Sequence, residues 1–143
     1  MQLPVTKKAN SPEETFKLAS EFAASLKAGD VIALNGELGA GKTFFVKSVL
    51  QYFEIGNVNS PTFAIVNQFE GKVKVNHFDF YRVNAINELH DIGFEDYLDD
   101  ESITFIEWAN LAREILPHKR IEVDIKIIDE FVREFTFIEL NYN

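Results

Sequence analysis

Apolar residues recur along the chain with two spacings, one typical of helices and one typical of strands. After Ser-Pro-Glu-Glu at residues 11–14, which has the form of a capping box with proline at the first helical position, apolar residues follow at helical spacing up to Gly29. Residues 31–34 form a short apolar run that predicts a buried strand, and residues 42–53 predict a helix ending near Gly56. A glycine-rich loop lies between this strand and this helix.

Strand-like alternation follows in the middle of the chain. Residues 63–69 and 72–81 predict two strands around a turn at residues 70–71. Because side chains alternate across a strand, the second strand places His77 and Asp79 on the same face. This pair of strands is predicted to be antiparallel.

The second half of the chain predicts five further elements. They are a helix at residues 84–98 broken near Gly93, a strand at 102–107, a helix at 109–116 stopped by Pro117, and strands at 121–128 and 131–140 that form a hairpin. Strands that alternate with helices predict a three-layer α/β domain, and the hairpins make its sheet mixed and partly antiparallel.

Composition agrees with a single domain covering residues 1–143. Hydrophobic residues make up 46% of the 143 residues, and no apolar run approaches the roughly 20 residues that span a bilayer. The phenylalanines, including Phe44, Phe45, Phe63 and Phe69, are predicted to belong to the core rather than to stack on a base. Without cysteine or a signal peptide, the chain is predicted to be cytoplasmic, with no membrane contact.

The acidic charge balance limits the partners. Fourteen Lys and Arg against 23 Asp and Glu give a formal net charge of −9, so the chain is a poor candidate for gripping a phosphate backbone unaided. Residues 83–107 contain eight acidic side chains and no Lys or Arg. We favour a solvated acidic face there over a docking surface for a basic partner protein.

The loop at residues 36–43 fits the pattern G-x-x-x-x-G-K-[ST] in full, between a predicted strand and a predicted helix. Glycines allow close backbone approach, the N–H groups form an anion nest, and the helix N-terminus adds partial positive charge. The side chains of Asn35 and Glu37 are expected to fix the loop or to face solvent. The candidate nucleotide-binding residues are Glu37, Leu38, Gly39, Ala40, Gly41, Lys42, Thr43 and Phe44.

Two carboxylates are candidates for the chemistry beside this loop. Glu107 ends an apolar strand, where an acid can meet Mg²⁺ together with the Thr43 hydroxyl, so Thr43 and Glu107 are the predicted metal ligands. Asp79 is the second acid, and Arg82 is close enough in sequence to be its ordinary ion-pair partner instead. The predicted catalytic residues are Asp79, Glu107 and Lys42, the last as a point charge on the β- and γ-phosphates.

Four segments together give the chain a family resemblance. GELGAGKT at residues 36–43, SPTF at 60–63, HFDFYR at 77–82 and EW at 107–108 occur in this order. With them the chain resembles the bacterial TsaE family, formerly YjeE, over nearly its whole length. The loop alone is common to many families, whereas the combination is far more specific. Phe44 stands where the family often has a second threonine.

The resemblance implies a P-loop NTPase-like fold and a function. The protein would bind ATP and Mg²⁺, hydrolyse ATP slowly, and assist TsaB and TsaD, which transfer a threonylcarbamoyl group to adenosine 37 of tRNAs reading ANN codons. It would contact tRNA only indirectly, through that complex. Asp79 would serve catalysis near the γ-phosphate, residues 60–62 would form a switch-like loop, and Trp108 would lie beside the site or pack in the core. The base would lie near residues 9–11.

The sequence is also compatible with two alternative functions. A small-molecule kinase would use the same loop, although the four arginines do not cluster in a lid-like insertion. A nucleotide-dependent assembly switch would differ from the accessory ATPase only in whether turnover matters. The histidines His77, His90 and His118 lack metal-ligand spacing and are predicted to be structural, with His77 in the wall of the site.

Overall fold

A seven-stranded mixed sheet forms the centre of the computed structural model, which describes residues 1–55 and 65–141. The strands are β1 (Val5–Ala9), β2 (Val31–Gly36), β3 (Val66–Glu70), β4 (Lys74–Asp79), β5 (Ser102–Glu107), β6 (Lys119–Ile127) and β7 (Arg133–Asn141). The helices are α1 (Pro12–Ala24), α2 (Lys42–Tyr52), α3 (Ile86–Asp91), α4 (Phe94–Tyr97) and two 3₁₀ helices, Phe80–Arg82 and Ala109–Ile115. None of these described helices is long and apolar enough to cross a membrane.

The strand order β1-β7-β6-β2-β5-β4-β3 places β2 in the middle of the sheet. Strand β2 is parallel to β5 and β6, and β4 is parallel to β5. The pairs β1–β7, β6–β7 and β3–β4 are antiparallel. The carboxyl ends of β2, β5 and β4 therefore meet at one edge of the sheet, which is where open α/β sheets bind ligands.

Helices cover both faces of the sheet, which makes the three predicted layers. Strands β2 and β5 are buried throughout or nearly so, and each sends alternate side chains to opposite faces. On the face that carries α1 and α2, the rings of Phe22, Phe45, Phe135 and Phe137 pack at centroid distances of 5.0–6.2 Å. On the other face Phe78 packs with the neighbouring rings of Phe80 and Phe94.

Helix α1 begins where the sequence predicts it to begin. The Ser11 hydroxyl accepts a hydrogen bond from the Glu14 main-chain N–H at 3.2 Å, and Pro12 opens the helix. The Glu14 carboxylate in turn accepts from the main-chain N–H of Asn10 at 3.1 Å. Both donors would otherwise lack a partner at the helix N-terminus, so these bonds fix the start of α1.

Several predicted elements differ from the structure in length or type. The strand at 72–81 ends at Asp79, because the Asp79 carboxylate accepts from the Tyr81 N–H and starts a 3₁₀ turn. The predicted helix at 84–98 is shorter at both ends, while its predicted break near Gly93, whose φ is +76°, is confirmed and separates α3 from α4. The segment at 109–116 is a 3₁₀ helix kinked at Ala112, rather than an α-helix.

Two parts of the sheet differ from the prediction at its edges. Strand β1 was not predicted, because a five-residue segment with two adjacent lysines has no apolar run. It forms an edge of the sheet and is held by its backbone pairing with β7. Strand β3 spans Val66–Glu70, and the remainder of the strand predicted at 63–69 reaches outside the described residues, as does the segment at 60–62.

Candidate functional site

The glycine-rich loop connects the end of β2 to the first turn of α2. Gly39 and Gly41 have φ values of +83° and +100°, which side chains rarely tolerate, and a Cβ at either position would meet no atom within 4 Å. Gly41 is the N-cap of α2, and no side chain caps its main-chain N–H groups. The space beside these two glycines is therefore open and faces the positive end of a helix dipole.

Gly36 is needed for a different reason. A Cβ at this position would lie 2.8 Å from the main-chain oxygen of Ile125 on β6, which is too close for any side chain. Asn35 precedes it, and its amide donates to Glu122 and Asp124 of β6 at 2.7 and 3.0 Å. The start of the loop is thus fixed against β6, and the expectation that Asn35 holds the loop is confirmed.

Lys42 is folded back onto the loop. Its ammonium donates to the main-chain oxygens of Gly36 at 2.6 Å and Glu37 at 3.0 Å, and it lies 4.0 Å from the centroid of the Trp108 ring. Burial lowers the pKa of Lys42 below its usual value, while the Glu107 and Asp79 carboxylates act in the opposite direction. The Glu37 side chain itself is exposed, as expected.

Glu107 lies at the buried end of β5 and is only 4% exposed. The Thr43 hydroxyl donates to its two oxygens, with distances of 2.8 and 3.0 Å, and His77 Nε2 lies 2.5 Å from its Oε2. A buried carboxylate without donors would be costly, so these contacts account for how Glu107 is tolerated in the core. The prediction placed Thr43 and Glu107 together, and His77, which was expected to hydrogen-bond within the wall of the site, contacts Glu107, a partner that the sequence did not name.

Asp79 lies at the end of β4, beside Glu107 in the parallel register of β4 and β5. Its side chain is 31% exposed, one oxygen accepts from the Tyr81 N–H at 3.0 Å, and the other lies 3.5 Å from Arg82 Nε. The ion pair between Asp79 and Arg82, which was the alternative interpretation of Asp79, is therefore present. Asp79 nevertheless lines the same cavity as Lys42 and Thr43, so it keeps a place in the candidate site.

A cavity of about 370 Å³ joins the loop to both strand ends. Trp108 and Tyr81 form one wall, with ring centroids 4.9 Å apart, and Trp108 also packs against the core. Both expectations for Trp108, a position beside the site and a packing role, are thus observed. The exposed Leu38 lies at the mouth of the cavity.

A second cavity, of about 200 Å³, lies on the other side of Gly41 and is mostly apolar. Ser11 from the start of α1 and Phe131 and Arg133 from the β6–β7 hairpin line it. Phe44 lines both cavities and is 45% exposed, so the prediction that it belongs to the core is wrong, whereas Phe45 is fully buried. Consecutive residues of a helix point about 100° apart, so only one of this pair can face the core.

The residues at the loop fit a phosphate group and a magnesium ion. Main-chain N–H groups, open space and one ammonium suit a phosphate. The Thr43 hydroxyl donates its one hydrogen bond to Glu107, so the lone pairs of the hydroxyl oxygen remain available for a cation. The Glu107 carboxylate supplies a second hard oxygen ligand. Thr43 and Glu107 would hold the ion.

A glycine-rich loop of this sequence, between a buried parallel strand and the helix that follows, defines a P-loop NTPase-like α/β fold. The chain belongs to the TsaE family. The family model described as threonylcarbamoyl adenosine biosynthesis protein TsaE matches residues 9–135. The family and the fold class inferred from the sequence are both confirmed.

Individual relatives agree with this assignment. The tRNA threonylcarbamoyladenosine biosynthesis proteins TsaE of Rickettsia felis and Bacillus subtilis are each 40% identical to the chain, over 85% and 89% of its length and 72% and 80% of theirs. The crystal structure of YdiB from Bacillus subtilis superposes with a TM-score of 0.83 and 32% identity, covering 99% of this chain and 88% of that one.

Proposed function

We propose that this chain is a slow ATPase that assists the formation of threonylcarbamoyladenosine in tRNA. One structural observation carries the ATPase part of this proposal. A hydroxyl at the first turn of α2, Thr43, contacts a buried carboxylate at the end of a neighbouring strand, Glu107, beside an open phosphate-sized loop. The names of the relatives, all TsaE proteins of tRNA threonylcarbamoyladenosine biosynthesis, support the pathway.

The loop residues would bind the phosphates of ATP. Main-chain N–H groups of the loop and the dipole of α2 would attract the negative charge, and Lys42 adds an ammonium group, whose pKa burial lowers while the Glu107 and Asp79 carboxylates act in the opposite direction. Because Lys42 rests on two main-chain oxygens of its own loop, it is placed beside the phosphate position before the nucleotide arrives.

Magnesium, held by Thr43 and Glu107, would neutralise part of the phosphate charge and withdraw electrons from the transferring group. The chain contributes by keeping these two oxygen ligands in contact, with the Glu107 carboxylate buried at the end of its strand. Asp79, the more exposed acid of the pair, would accept the proton of the attacking water at one of its carboxylate oxygens. Arg82 and the Tyr81 N–H hold that carboxylate in orientation.

The second cavity is the position that we assign to the adenine base. Ser11, from the segment near which the resemblance implies the base, lines it, and Gly41 borders both this cavity and the phosphate site. Phe44 and Phe131 expose 45% and 66% of their surface and offer aromatic faces at this cavity. Aromatic faces of this kind suit stacking with a base.

TsaB and TsaD are the proposed partners, and the acidic side chains are a candidate docking surface. Of the eight acidic residues in 83–107, Glu107 is buried and most of the others, including Asp91, Glu95 and Asp96, are exposed. If this surface docks on basic patches, the affinity for a purified TsaB–TsaD complex should weaken as salt rises from low to physiological ionic strength. Assembly that is insensitive to salt would remove this surface from the proposal.

Reconstitution tests the proposed function directly. We expect the chain to increase the amount of threonylcarbamoyladenosine formed on tRNA by purified TsaB and TsaD that are supplied with an activated threonylcarbamoyl donor and ATP, measured by mass spectrometry of tRNA nucleosides. Lys42→Met should abolish the increase, and Lys17→Met, which changes an exposed lysine of α1, should not. No increase with the parent chain would contradict the proposal.

The same reaction mixtures separate ATP hydrolysis from a kinase activity. Hydrolysis gives one inorganic phosphate for each ADP, whereas a kinase gives ADP and a phosphorylated small molecule. We expect equal amounts of ADP and phosphate, measured by chromatography and by a phosphate assay. ADP without matching phosphate would favour the kinase.

A further inference from the structure

His77 is a buried polar residue that contacts Glu107 beside the site, and the proposed mechanism assigns it no role. It lies on β4 and is 5% exposed. In the register of β4 and β5 its partner is Phe105, so its side chain is on the same sheet face as Phe105 and as Glu107 two residues later. A polar side chain is thus buried in an aromatic layer, pointing toward the carboxylate at the strand end.

The contact between His77 and Glu107 has a defined direction. An ionised carboxylate can only accept hydrogen bonds, so the proton at the 2.5 Å contact belongs to His77 Nε2 and is donated to Glu107 Oε2. Donation to a charged acceptor is stronger than donation between neutral groups. The imidazole therefore holds one named oxygen of Glu107.

The two donors to Glu107 act differently on its oxygens. Thr43 reaches both, at 2.8 Å for Oε1 and 3.0 Å for Oε2, and by itself leaves the carboxylate without a preferred rotation. His77 contacts Oε2 alone. Thr43 has one proton to share between the two oxygens, whereas His77 donates a proton of its own to Oε2, so Oε1 accepts nothing from His77 and is the oxygen that lies closest to the Thr43 hydroxyl.

We propose that His77 is a positioning residue that fixes the Glu107 carboxylate so that Oε1 is presented to Mg²⁺ beside Thr43. This inference rests on the proposed function, since it concerns the metal ligand of that site. Outer partners of this kind typically change metal affinity by about 10–100-fold when they are removed. A merely structural histidine would change protein stability and leave the magnesium dependence alone.

Two amide variants form a matched pair for the test. The side-chain nitrogen of His77→Gln lies at about the reach of histidine Nε2, whereas that of His77→Asn is one bond shorter and does not reach Glu107. Binding of the non-hydrolysable analogue AMP-PNP is measured by calorimetry in EDTA and across a series of Mg²⁺ concentrations, with thermal unfolding of each variant in parallel.

We expect affinity in EDTA to stay within about twofold of the parent for both variants, because no loop group is changed. His77→Asn should raise the half-saturating Mg²⁺ concentration about tenfold, and His77→Gln should stay within about threefold of the parent. Equal magnesium dependence in parent and asparagine variant overturns the assignment, as does equal impairment of both variants with equally lowered melting temperatures.

If the asparagine variant does not fold, His77→Leu takes its place in the same titration, since leucine fills the position with apolar volume. Failure of both to fold makes His77 a stability residue and overturns the positioning role. The parent chain separates the two proposals. If its AMP-PNP binding does not depend on Mg²⁺, the proposed function itself fails, whereas unchanged variants of a Mg²⁺-dependent parent remove only the role of His77.

Discussion

Two carboxylates lie at the ends of adjacent parallel strands, and they differ in burial and in the groups that donate hydrogen bonds to them. Glu107 on β5 and Asp79 on β4 are partners in the strand register. Glu107 is 4% exposed and contacts side chains from α2 and β4, whereas the Asp79 side chain is 31% exposed and contacts only groups within three residues of itself among the bonds described above. Equivalent positions in the sheet thus differ in depth and in the origin of their donors.

The difference separates two chemical tasks. A carboxylate held by donors from distant elements cannot move without disturbing the fold, which suits a ligand that must meet a metal in one geometry. A carboxylate near water and held by its own turn can exchange a proton with solvent, which suits an acceptor of protons. We therefore assign the metal to Glu107 and proton transfer to Asp79.

Lys42→Met should have the largest effect, because it removes the ammonium group of the loop, whose pKa is lowered by burial against the opposing effect of the Glu107 and Asp79 carboxylates. A hydrogen bond to a charged group contributes about 1.5–3 kcal/mol, so ATP affinity measured by calorimetry should fall by up to roughly 150-fold. Lys17→Met is the control and should bind as the parent does. If Lys42→Met binds ATP as tightly as the parent, the loop lysine does not contact the nucleotide, which would contradict the proposed phosphate site.

Asp79→Asn should come next, with an effect on turnover rather than on binding. The amide keeps the hydrogen bond from the Tyr81 N–H but cannot take a proton at neutral pH. Turnover should fall about 100-fold, with the affinity for ATP within about threefold of the parent, because general-base catalysis typically contributes at least that much. Glu107→Gln is the contrasting variant, and it should also raise the Mg²⁺ requirement. Normal turnover of Asp79→Asn would contradict the assignment of proton transfer to Asp79.

The smallest effect expected is on stability without nucleotide or metal. Glu107→Gln places an amide N–H₂ among buried donors and should lower the free energy of unfolding by about 1–2 kcal/mol. Asp79→Asn keeps an equally good turn cap and a half-exposed position, so its effect should be below about 0.5 kcal/mol. Urea unfolding measures both, and equal losses would show that burial does not distinguish the two acids.

The loop and the contact between Thr43 and Glu107 were predictable because their signals are local or follow from sheet topology. The glycines and Lys42 are set by the backbone path from strand to helix, which the pattern at residues 36–43 describes completely. The meeting of Thr43 and Glu107 follows from the rule that ligands gather at the carboxyl ends of parallel strands. Neither inference needs the exact register.

The difference between the acids was not predictable, since it depends on register and on what covers each strand end. The alternation of β4 places His77 and Asp79 on one face. Which residues of β5 lie beside them depends on the tertiary register of the two strands, which the sequence does not show. Strand β1 and the exposure of Phe44 were missed for a related reason. Strand β1 depends on its long-range pairing with β7, and the exposure of Phe44 depends on which face of α2 the rest of the fold covers.

A crystal structure with Mg²⁺ and AMP-PNP would show whether the loop and the two acids form one nucleotide site. We expect the phosphates in the open space beside Gly39 and Gly41, with the metal bound to Thr43 Oγ1 and to a carboxylate oxygen of Glu107. Asp79 should face the terminal phosphate without contacting the metal. A nucleotide bound elsewhere, or a metal held by Asp79 with Glu107 still turned to Thr43 and His77 alone, would contradict the proposed site.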